Sequence, residues 1–210
     1  MIRILVADDH AIVRQGLKQI VADTPDLVVT GEAERGREVL EKVSKDDYDV
    51  VLLDITMPDK TGLEVLEELK QIKPDLPVLI LSMHPEDQYA IRAIRAGASG
   101  YVTKAGVPDE LVTAIRKVSV GSKYISSSLA EKLAVYLEMG AEKPLHQVLS
   151  DREYRVMCLI ASGKTVKEIA EELFLSVKTV STYRSRVLQK MKMKNNAQLT
   201  HYCVQNQLVP

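Results

Sequence analysis

Short apolar runs and helical periodicity alternate along the first 125 residues. The clearest run is Val50-Val51-Leu52-Leu53, whose four consecutive aliphatic residues predict a strand buried on both faces, as in a parallel sheet. Similar runs predict strands at Ile2–Ala7, Leu27–Gly31, Leu76–Ser82 and Tyr101–Thr103. After each strand, apolar residues recur every three or four positions, which predicts a helix. Five such strand–helix units predict an α/β domain built on a doubly wound, five-stranded parallel sheet.

The last 60 residues have a purely helical pattern. Capping signals begin three of the predicted helices: Ser150 with Glu153, Thr165 with Glu168, and Ser176. A tight turn at Phe174-Leu175 separates the second of these helices from the third, which is predicted to run to about Met191. A fourth helix is predicted from Ala197 to Asn206. A short helix, a tight turn and a longer helix predict a second, smaller, all-α domain with a helix-turn-helix.

A connecting segment lies between the two patterns. Leu129, Leu133 and Leu137 recur at fourfold spacing behind a possible serine N-cap, which predicts an amphipathic linker helix. The run Gly140–Pro144 breaks this helix, and the flexible boundary is predicted near residues 139–149. The predicted organisation is therefore a first domain at 1–122, a linker at 123–149 and a second domain at 150–210.

Charge is distributed unevenly along the chain, although the net charge is only −1. Residues 1–125 hold 16 Lys and Arg against 21 Asp and Glu, a balance of −5, whereas residues 151–210 hold 10 against 5, a balance of +5. An acidic first part and a basic last part favour polyanion binding by the second domain. A solvated basic face is the simpler alternative.

Composition and motifs exclude several classes of protein. No Gly-x-Gly-x-x-Gly follows the first strand and no Walker A loop is present, which argues against dinucleotide and nucleoside triphosphate binding. Cys158 and Cys203 are too few for a disulfide framework or a zinc site. No run is long enough to span a membrane, and Met1-Ile2-Arg3 leads directly into a strand, so neither a membrane anchor nor a signal peptide is predicted. A cytoplasmic protein is expected.

Chemically active side chains follow the ends of four predicted strands: Asp8 and Asp9, Asp54, Ser82, and Lys104. In an open α/β sheet, ligands bind at the carboxyl ends of the strands. If the acidic residues lie on neighbouring strands, three carboxylates converge, and each raises the pKa of the others unless a cation intervenes. Oxygen ligands suit a hard ion such as Mg²⁺. Such a site could accept a phosphoryl group on Asp54, with the metal and Lys104 neutralising its oxygens and Ser82 binding one of them.

These residues closely resemble the receiver domain of two-component response regulators. The matching elements are Asp8-Asp9, Asp54 with Met57-Pro58, Gly62, Ser82, Ala96-Gly97-Ala98, Gly100-Tyr101 and Lys104. The resemblance implies a flavodoxin-like fold, phosphorylation of Asp54 by a histidine kinase, and a Mg²⁺ ion held by Asp8, Asp9, Asp54 and the backbone carbonyl of Thr56. It also implies that Ser82 and Tyr101 move together on activation. Ala105 stands where many receivers have proline after the lysine.

The longer helix of the predicted helix-turn-helix has two unlike sides. At 100° per residue, Val177, Val180, Val187, Leu188 and Met191 share one side. The opposite side is polar and free of carboxylates, which suits a DNA major groove. Arg184 falls near the packing side. The residues predicted to contact double-stranded DNA are Lys178, Thr179, Ser181, Thr182, Tyr183, Ser185, Arg186 and Gln189.

The second domain resembles the LuxR-type helix-turn-helix. The matching elements are Ser150-x-Arg152-Glu153, Ala161-x-Gly163, Lys167-Glu168-Ile169-Ala170, Leu175-Ser176 and Lys178-Thr179-Val180. Val166, Tyr183 and Asn196 depart from the usual residues, which affects the expected sequence preference more than DNA binding itself. Together with the receiver, this pattern resembles a NarL/FixJ-type regulator. The resemblance implies a homodimer when phosphorylated and RNA polymerase as a possible partner.

Other interpretations remain open on the sequence alone. An aspartyl-nucleophile phosphatase usually needs a second Asp two residues after the nucleophile, where this chain has Thr56. An interaction module whose helices only dimerise would present an apolar face. Individually, Asp8 could cap a helix, Ser82 could end a strand, Lys104 could be a surface charge and Tyr101 could serve only packing.

Overall fold

The computed structural model describes residues 1–83, 86–138, 144–206 and 208–209. The chain divides into two compact units, Met1–Ala134 and Val135–Pro210. The domain limits predicted from the sequence stay predictions, because compactness alone does not define a domain. The predicted helix break at 140–144 falls almost entirely outside the described residues. Across the described part of the chain, no helix has both the length and the apolar character needed to cross a membrane.

The first unit contains a five-stranded parallel sheet with the strand order β2-β1-β3-β4-β5. The strands are β1 (Ile2–Ala7), β2 (Leu27–Ala33), β3 (Val50–Asp54), β4 (Val78–Ser82) and β5 (Gly100–Thr103). The helices that follow them are α1 (Ala11–Ala22), α2 (Gly36–Lys45), α3 (Gly62–Ile72), α4 (Glu86–Arg95) and α5 (Val107–Ser119). The predicted α/β class and doubly wound parallel sheet are confirmed.

Central strands of this sheet are buried on both faces, as their unbroken apolar sequences require. Each residue of β3 and β4 is buried, and so are the last four residues of β1. Alternate strand residues such as Ile4, Val6 and Leu52 share one apolar cluster with residues of α1 and α5. This packing places the carboxyl ends of β1 and β3 next to each other, because these two strands are direct neighbours.

The start of the predicted linker is attached to the edge strand β5. The Tyr124 backbone N–H donates to the Ser99 carbonyl at 2.8 Å, and Tyr124 forms a parallel bridge with Gly100. A Cβ at Gly100 would lie 2.7 Å from the Tyr124 carbonyl oxygen, so only glycine allows this close approach. The linker helix α6 (Ser127–Glu138) follows, and its Leu129 is fully buried, as the fourfold spacing predicts.

The second unit is helical. A 3₁₀ turn at Leu145–Val148, which the sequence patterns did not predict, precedes α7 (Asp151–Ala161), α8 (Val166–Glu172), α9 (Val177–Lys190) and α10 (Asn196–Gln205). Capping boxes at Ser150/Glu153 and Thr165/Glu168 are confirmed. The Ser176 side chain accepts a hydrogen bond from the Thr179 backbone N–H and caps α9.

One side of α9 packs against the rest of this unit, with one exception to the prediction. Val180, Val187 and Met191 are buried. Val177, predicted on the same side, is 51% exposed. It is the first residue of α9, and helical side chains lean towards the helix N-terminus, so its side chain extends past the end of the packed surface.

Glu153 is a buried charge in the first turn of α7. Its carboxylate accepts the Ser150 backbone N–H at 2.9 Å and lies 2.6 Å from Lys190 Nζ on α9. Burial raises the pKa of Glu153, but Lys190 and Ser150 outweigh this effect and hold the pKa below its ordinary value. A carboxyl whose pKa is lower in the folded state stabilises the fold above its unfolded pKa, and this stabilisation is lost as the pH falls through the folded pKa.

We therefore expect Glu153→Gln to lower the free energy of unfolding at pH 7 by about 1–2 kcal/mol, with a smaller difference at acidic pH. Urea unfolding of the full chain at neutral and acidic pH measures both values. Glu168→Gln is the matched control, because Glu168 completes an equivalent capping box in an exposed position. Equal effects of the two variants, or a Glu153 effect that grows in acid, would contradict this account.

Candidate functional site

Acidic side chains meet at the carboxyl end of the sheet. Ala7 and Leu53 are paired in the β1–β3 register, so Asp8, the residue after β1, lies beside Asp54, the last residue of β3. Asp8 and Asp54 are 1% and 2% exposed. Ligand atoms of Asp8, Asp9, His10 and Asp54 all lie within 4.8 Å of one another. The structure thus brings together the three carboxylates that the sequence placed at strand ends.

Lys104 enters this acidic cluster from the end of β5. Its Nζ lies 2.6 Å from Asp8 Oδ2 and 3.1 Å from Asp54 Oδ2, and its side chain is 8% exposed. Burial lowers the pKa of Lys104, but Asp54 and Asp8 together raise it above its ordinary value. Lys104 is therefore a buried ammonium that neutralises only part of the negative charge around it.

The acidic cluster carries more negative charge than Lys104 can neutralise. Within the described residues, the buried side-chain oxygens that lack a hydrogen bond of normal geometry are Asp8 Oδ2, Asp9 Oδ1 and Asp54 Oδ2. Burial raises the pKa of Asp54 from 3.8 to about 6; Lys104 opposes this shift and Asp8 adds to it. Lys104 and His10 contact these oxygens as ion pairs only, and converging carboxylate oxygens of this kind are the ligands that a hard divalent cation prefers. The donor set therefore fits Mg²⁺.

His10 is a member of this cluster to which the sequence analysis gave no role. Its Nδ1 lies 2.7 Å from Asp9 Oδ1 and 3.3 Å from Asp8 Oδ1, and its side chain is 64% exposed. Adjacency to Asp8-Asp9 was the only sequence signal for it. His84, which was also given no role, lies outside the described residues.

The remaining residues predicted for this site lie in or directly after β3, β4 and β5. Ser82 ends β4 and is 1% exposed, and its carbonyl accepts the Lys104 backbone N–H at 2.8 Å. Tyr101 is fully buried in β5. The Thr56 backbone N–H donates to the Asp54 carboxylate. At Gly62, the first residue of α3, a Cβ would lie 2.1 Å from the Asp54 carbonyl oxygen, so this close approach of α3 requires glycine.

A second candidate site lies on α9. A shallow depression of about 290 Å³ is lined by Lys178, Thr179, Thr182, Tyr183 and Arg186. All five residues belong to the predicted DNA-contacting set, and no carboxylate is among them. Ser181, Ser185 and Gln189, the other members of that set, are exposed. The helix-turn-helix geometry and this positively charged surface fit the backbone of a nucleic acid.

Hydroxyl groups on this surface are partly engaged within α9. Thr182 Oγ1 donates to the Lys178 carbonyl and Ser185 Oγ to the Ser181 carbonyl, each at 3.0 Å. Arg184 Nε donates to Asn196 Oδ1 at 2.7 Å, which joins α9 to α10 and agrees with the predicted position of Arg184 near the packing side. The side chains best able to donate to an incoming phosphate are therefore those of Lys178, Tyr183 and Arg186.

Comparisons with known proteins match parts of both units. Residues 4–116 match the response regulator receiver domain, and residues 147–203 match the bacterial regulatory proteins of the luxR family. The chain is 36% identical over 209 residues to response regulator UvrY of Escherichia coli K12, covering 99% of this chain and 96% of that protein. It is 37% identical over 211 residues to response regulator GacA of Pseudomonas aeruginosa, covering 100% of this chain and 98% of that one.

Solved structures of response regulators match nearly the whole chain. An RcsB response regulator of Salmonella typhimurium matches with a TM-score of 0.68 and 25% identity, covering 98% of each chain. RcsB from Salmonella enterica serovar Typhimurium bound to promoter rprA in the presence of the phosphomimetic BeF3⁻ matches with a TM-score of 0.64 and 28% identity, covering 97% of this chain and 99% of that one.

The fold and the acidic cluster define a receiver domain, and the second unit defines a LuxR-type DNA-binding domain. The chain belongs to the NarL/FixJ family of response regulators, which includes UvrY and GacA. It is a DNA-binding response regulator of a two-component system.

Proposed function

We propose that a histidine kinase phosphorylates Asp54, with Mg²⁺ held by the carboxylates of Asp8, Asp9 and Asp54 and by the backbone carbonyl of Thr56. The observation that carries this proposal is the convergence of the Asp8, Asp9 and Asp54 carboxylates, whose ligand atoms lie within 4.8 Å of one another beside the single ammonium of Lys104. When bound, the ion supplies positive charge to the oxygens of the phosphoryl group. Thr56 occupies the position where a phosphatase of the aspartyl class has its general acid, so the chain accepts a phosphoryl group rather than turning over phosphomonoesters.

The protein's own side chains perform the remaining steps. An Asp54 carboxylate oxygen forms the bond to phosphorus as the bond to the donor's imidazole nitrogen breaks, and the electron pair of that bond leaves with the imidazole. Lys104, already 3.1 Å from Asp54, stabilises the charge on the transferred group. The Ser82 hydroxyl, at the end of the neighbouring strand β4, donates to a phosphoryl oxygen in the product. The same groups assist hydrolysis of the acyl phosphate, so the receiver takes part in its own phosphorylation and dephosphorylation without being an enzyme for other substrates.

Phosphorylation of Asp54 then controls the second domain. Ser82 and Tyr101 change position together, and two copies of the chain dimerise and bind double-stranded DNA through α9. The related RcsB has been solved as two dimers bound to two parallel DNAs and on promoters in the presence of phosphomimetic BeF3⁻, which supports dimeric DNA binding here. RNA polymerase is the further partner that we propose. We also propose a cytoplasmic location for the protein, because the chromosomal DNA of bacteria lies in the cytoplasm.

Selection of bound fragments from random duplex DNA tests the proposal. We expect the full chain to enrich a sequence motif with two half-sites, and a small phosphodonor with Mg²⁺ to increase the enrichment, because phosphorylation favours the dimer. Asp54→Asn protein treated identically is the control, and it should not respond to the phosphodonor. Enrichment that is the same with and without the phosphodonor would contradict control by phosphorylation, and no enrichment would contradict specific DNA binding.

A further inference from the structure

Arg14 is a buried cation of the first unit that the proposed phosphotransfer does not use directly. It lies on α1, and its side chain is 8% exposed. Its Nη1 donates to the Asp8 carbonyl at 2.8 Å, its Nε donates to Glu32 Oε2 at 3.3 Å, and its Nη2 contacts Glu34 Oε1. One guanidinium therefore joins the carboxyl ends of β1 and β2.

The contact with Asp8 fixes a particular peptide group. The Asp8 backbone N–H donates to the Ala33 carbonyl at 3.1 Å, and the Asp8 carbonyl accepts from Arg14. That carbonyl belongs to the peptide between Asp8 and Asp9, so its orientation sets the direction in which the Asp9 side chain leaves the backbone. The Asp8 side chain is held in turn by the His10 backbone N–H, which donates to Asp8 Oδ1 at 2.9 Å.

Charge on Arg14 is neutralised on the side away from the acidic cluster. Among the described residues, its ion-pair partners are Glu32 and Glu34, and Glu32 also lies 2.6 Å from Lys18 Nζ. Lys18, against the opposing effect of burial, holds the pKa of Glu32 below its ordinary value, and Arg14 adds to this effect. The carboxylates of the cluster have Lys104 as their own cation. Arg14 thus acts on the cluster through the backbone and not as a competing positive charge.

We propose that Arg14 is a positioning residue that holds the Asp8–Asp9 peptide in the orientation a divalent cation requires. This inference rests on the proposed function of the acidic cluster. A guanidinium suits the task because its planar group presents five donors in fixed directions and can bond to both strand ends at once. An ammonium on a lysine stem is a single point charge and cannot reproduce those three contacts.

Binding of Mn²⁺ to the full chain, followed by electron paramagnetic resonance, tests this proposal without measuring phosphorylation. Loss of a group that orients metal ligands typically weakens metal binding about 10- to 100-fold, and we expect this range for Arg14→Gln. Arg14→Lys should recover little of the affinity although it keeps the charge. Saturating Mg²⁺ should restore phosphodonor labelling of both variants to the level of the unmodified chain. Arg3→Gln is the matched control, because Arg3 pairs with Asp49 at the exposed opposite end of β1 and should bind Mn²⁺ as the unmodified chain does.

The possible outcomes separate this inference from the proposed function. If the unmodified chain does not bind Mn²⁺, the proposed metal site itself is wrong. If the unmodified chain binds and both Arg14 variants bind equally well, the positioning role is wrong and the site stands. A lower melting temperature with an unchanged Mn²⁺ affinity would show a purely structural role and would also overturn the inference. If Arg14→Gln does not fold, Arg14→Lys decides by the same measurement.

Discussion

Replacing Asp54 with Asn is expected to abolish labelling of the protein by a small phosphodonor in the presence of Mg²⁺. The amide lacks the anionic oxygen that attacks phosphorus, and it removes one of the three oxygens that the cation would bind. Asp8 remains within 2.6 Å of Lys104, so the ammonium stays paired and the fold is kept. Intact mass spectrometry after incubation with the phosphodonor measures the labelled fraction. Asp23→Asn, a change at an exposed carboxylate of the same unit, should be labelled normally. Continued labelling of the Asp54 variant would rule this residue out as the acceptor.

The same substitution is expected to stabilise the protein when divalent ions are removed. Burial raises the pKa of Asp54 to about 6, so the folded state disfavours the ionised form. The folded protein therefore loses stability as the pH rises from the pKa of Asp54 in the unfolded chain to its pKa in the folded one. This loss of free energy is fully present at pH 7. Asn has no such cost, and we expect a gain of about 1–3 kcal/mol in the free energy of unfolding.

Urea unfolding in a metal chelator at pH 7 measures this gain. Mg²⁺ at about 100 times its dissociation constant should in turn stabilise the unmodified chain by roughly 2.7 kcal/mol and stabilise the Asn variant much less. Asp23→Asn serves again as the control and should respond to Mg²⁺ as the unmodified chain does. A less stable Asn variant in chelator would show that pairing with Lys104 outweighs the burial of Asp54.

Replacing both Lys178 and Arg186 with Ala is expected to weaken DNA binding at least tenfold, for specific and random duplexes alike. Both side chains line the depression on α9, where neighbouring hydroxyls are engaged with the helix backbone. Each lost phosphate contact should reduce the slope of log K against log salt concentration by about 0.9. Fluorescence anisotropy with a labelled duplex over a range of salt concentrations measures affinity and slope together.

Lys42→Ala with Lys45→Ala is the matched control for this pair. It removes two positive charges from α2 of the first unit and therefore changes the net charge equally. The control should bind DNA with the unmodified salt dependence. An α9 variant with an unchanged slope would mean that Lys178 and Arg186 do not contact phosphates, even if its affinity were lower.

Much of the architecture follows from short-range patterns in the sequence. Alternating apolar runs and helical periodicity predict the strands and helices, because burial on one or two faces needs particular spacings within a single element. The capping boxes at Ser150 and Thr165 involve residues three positions apart, so their structure confirms a local prediction. The residue types at the strand ends also identify the chemistry of the site and its resemblance to receivers, before any distance is known.

Tertiary structure alone decided which of these groups meet. The order β2-β1-β3-β4-β5 puts Asp8 beside Asp54 and allows Lys104 to reach both, although β4 separates β3 from β5. Pairing of Arg14 with the end of β2, and exposure of Val177 at the start of α9, likewise arise from packing between elements. A sequence determines its local periodicities directly, whereas distances between residues far apart in the chain depend on how buried surfaces pack together, and no single segment contains that information.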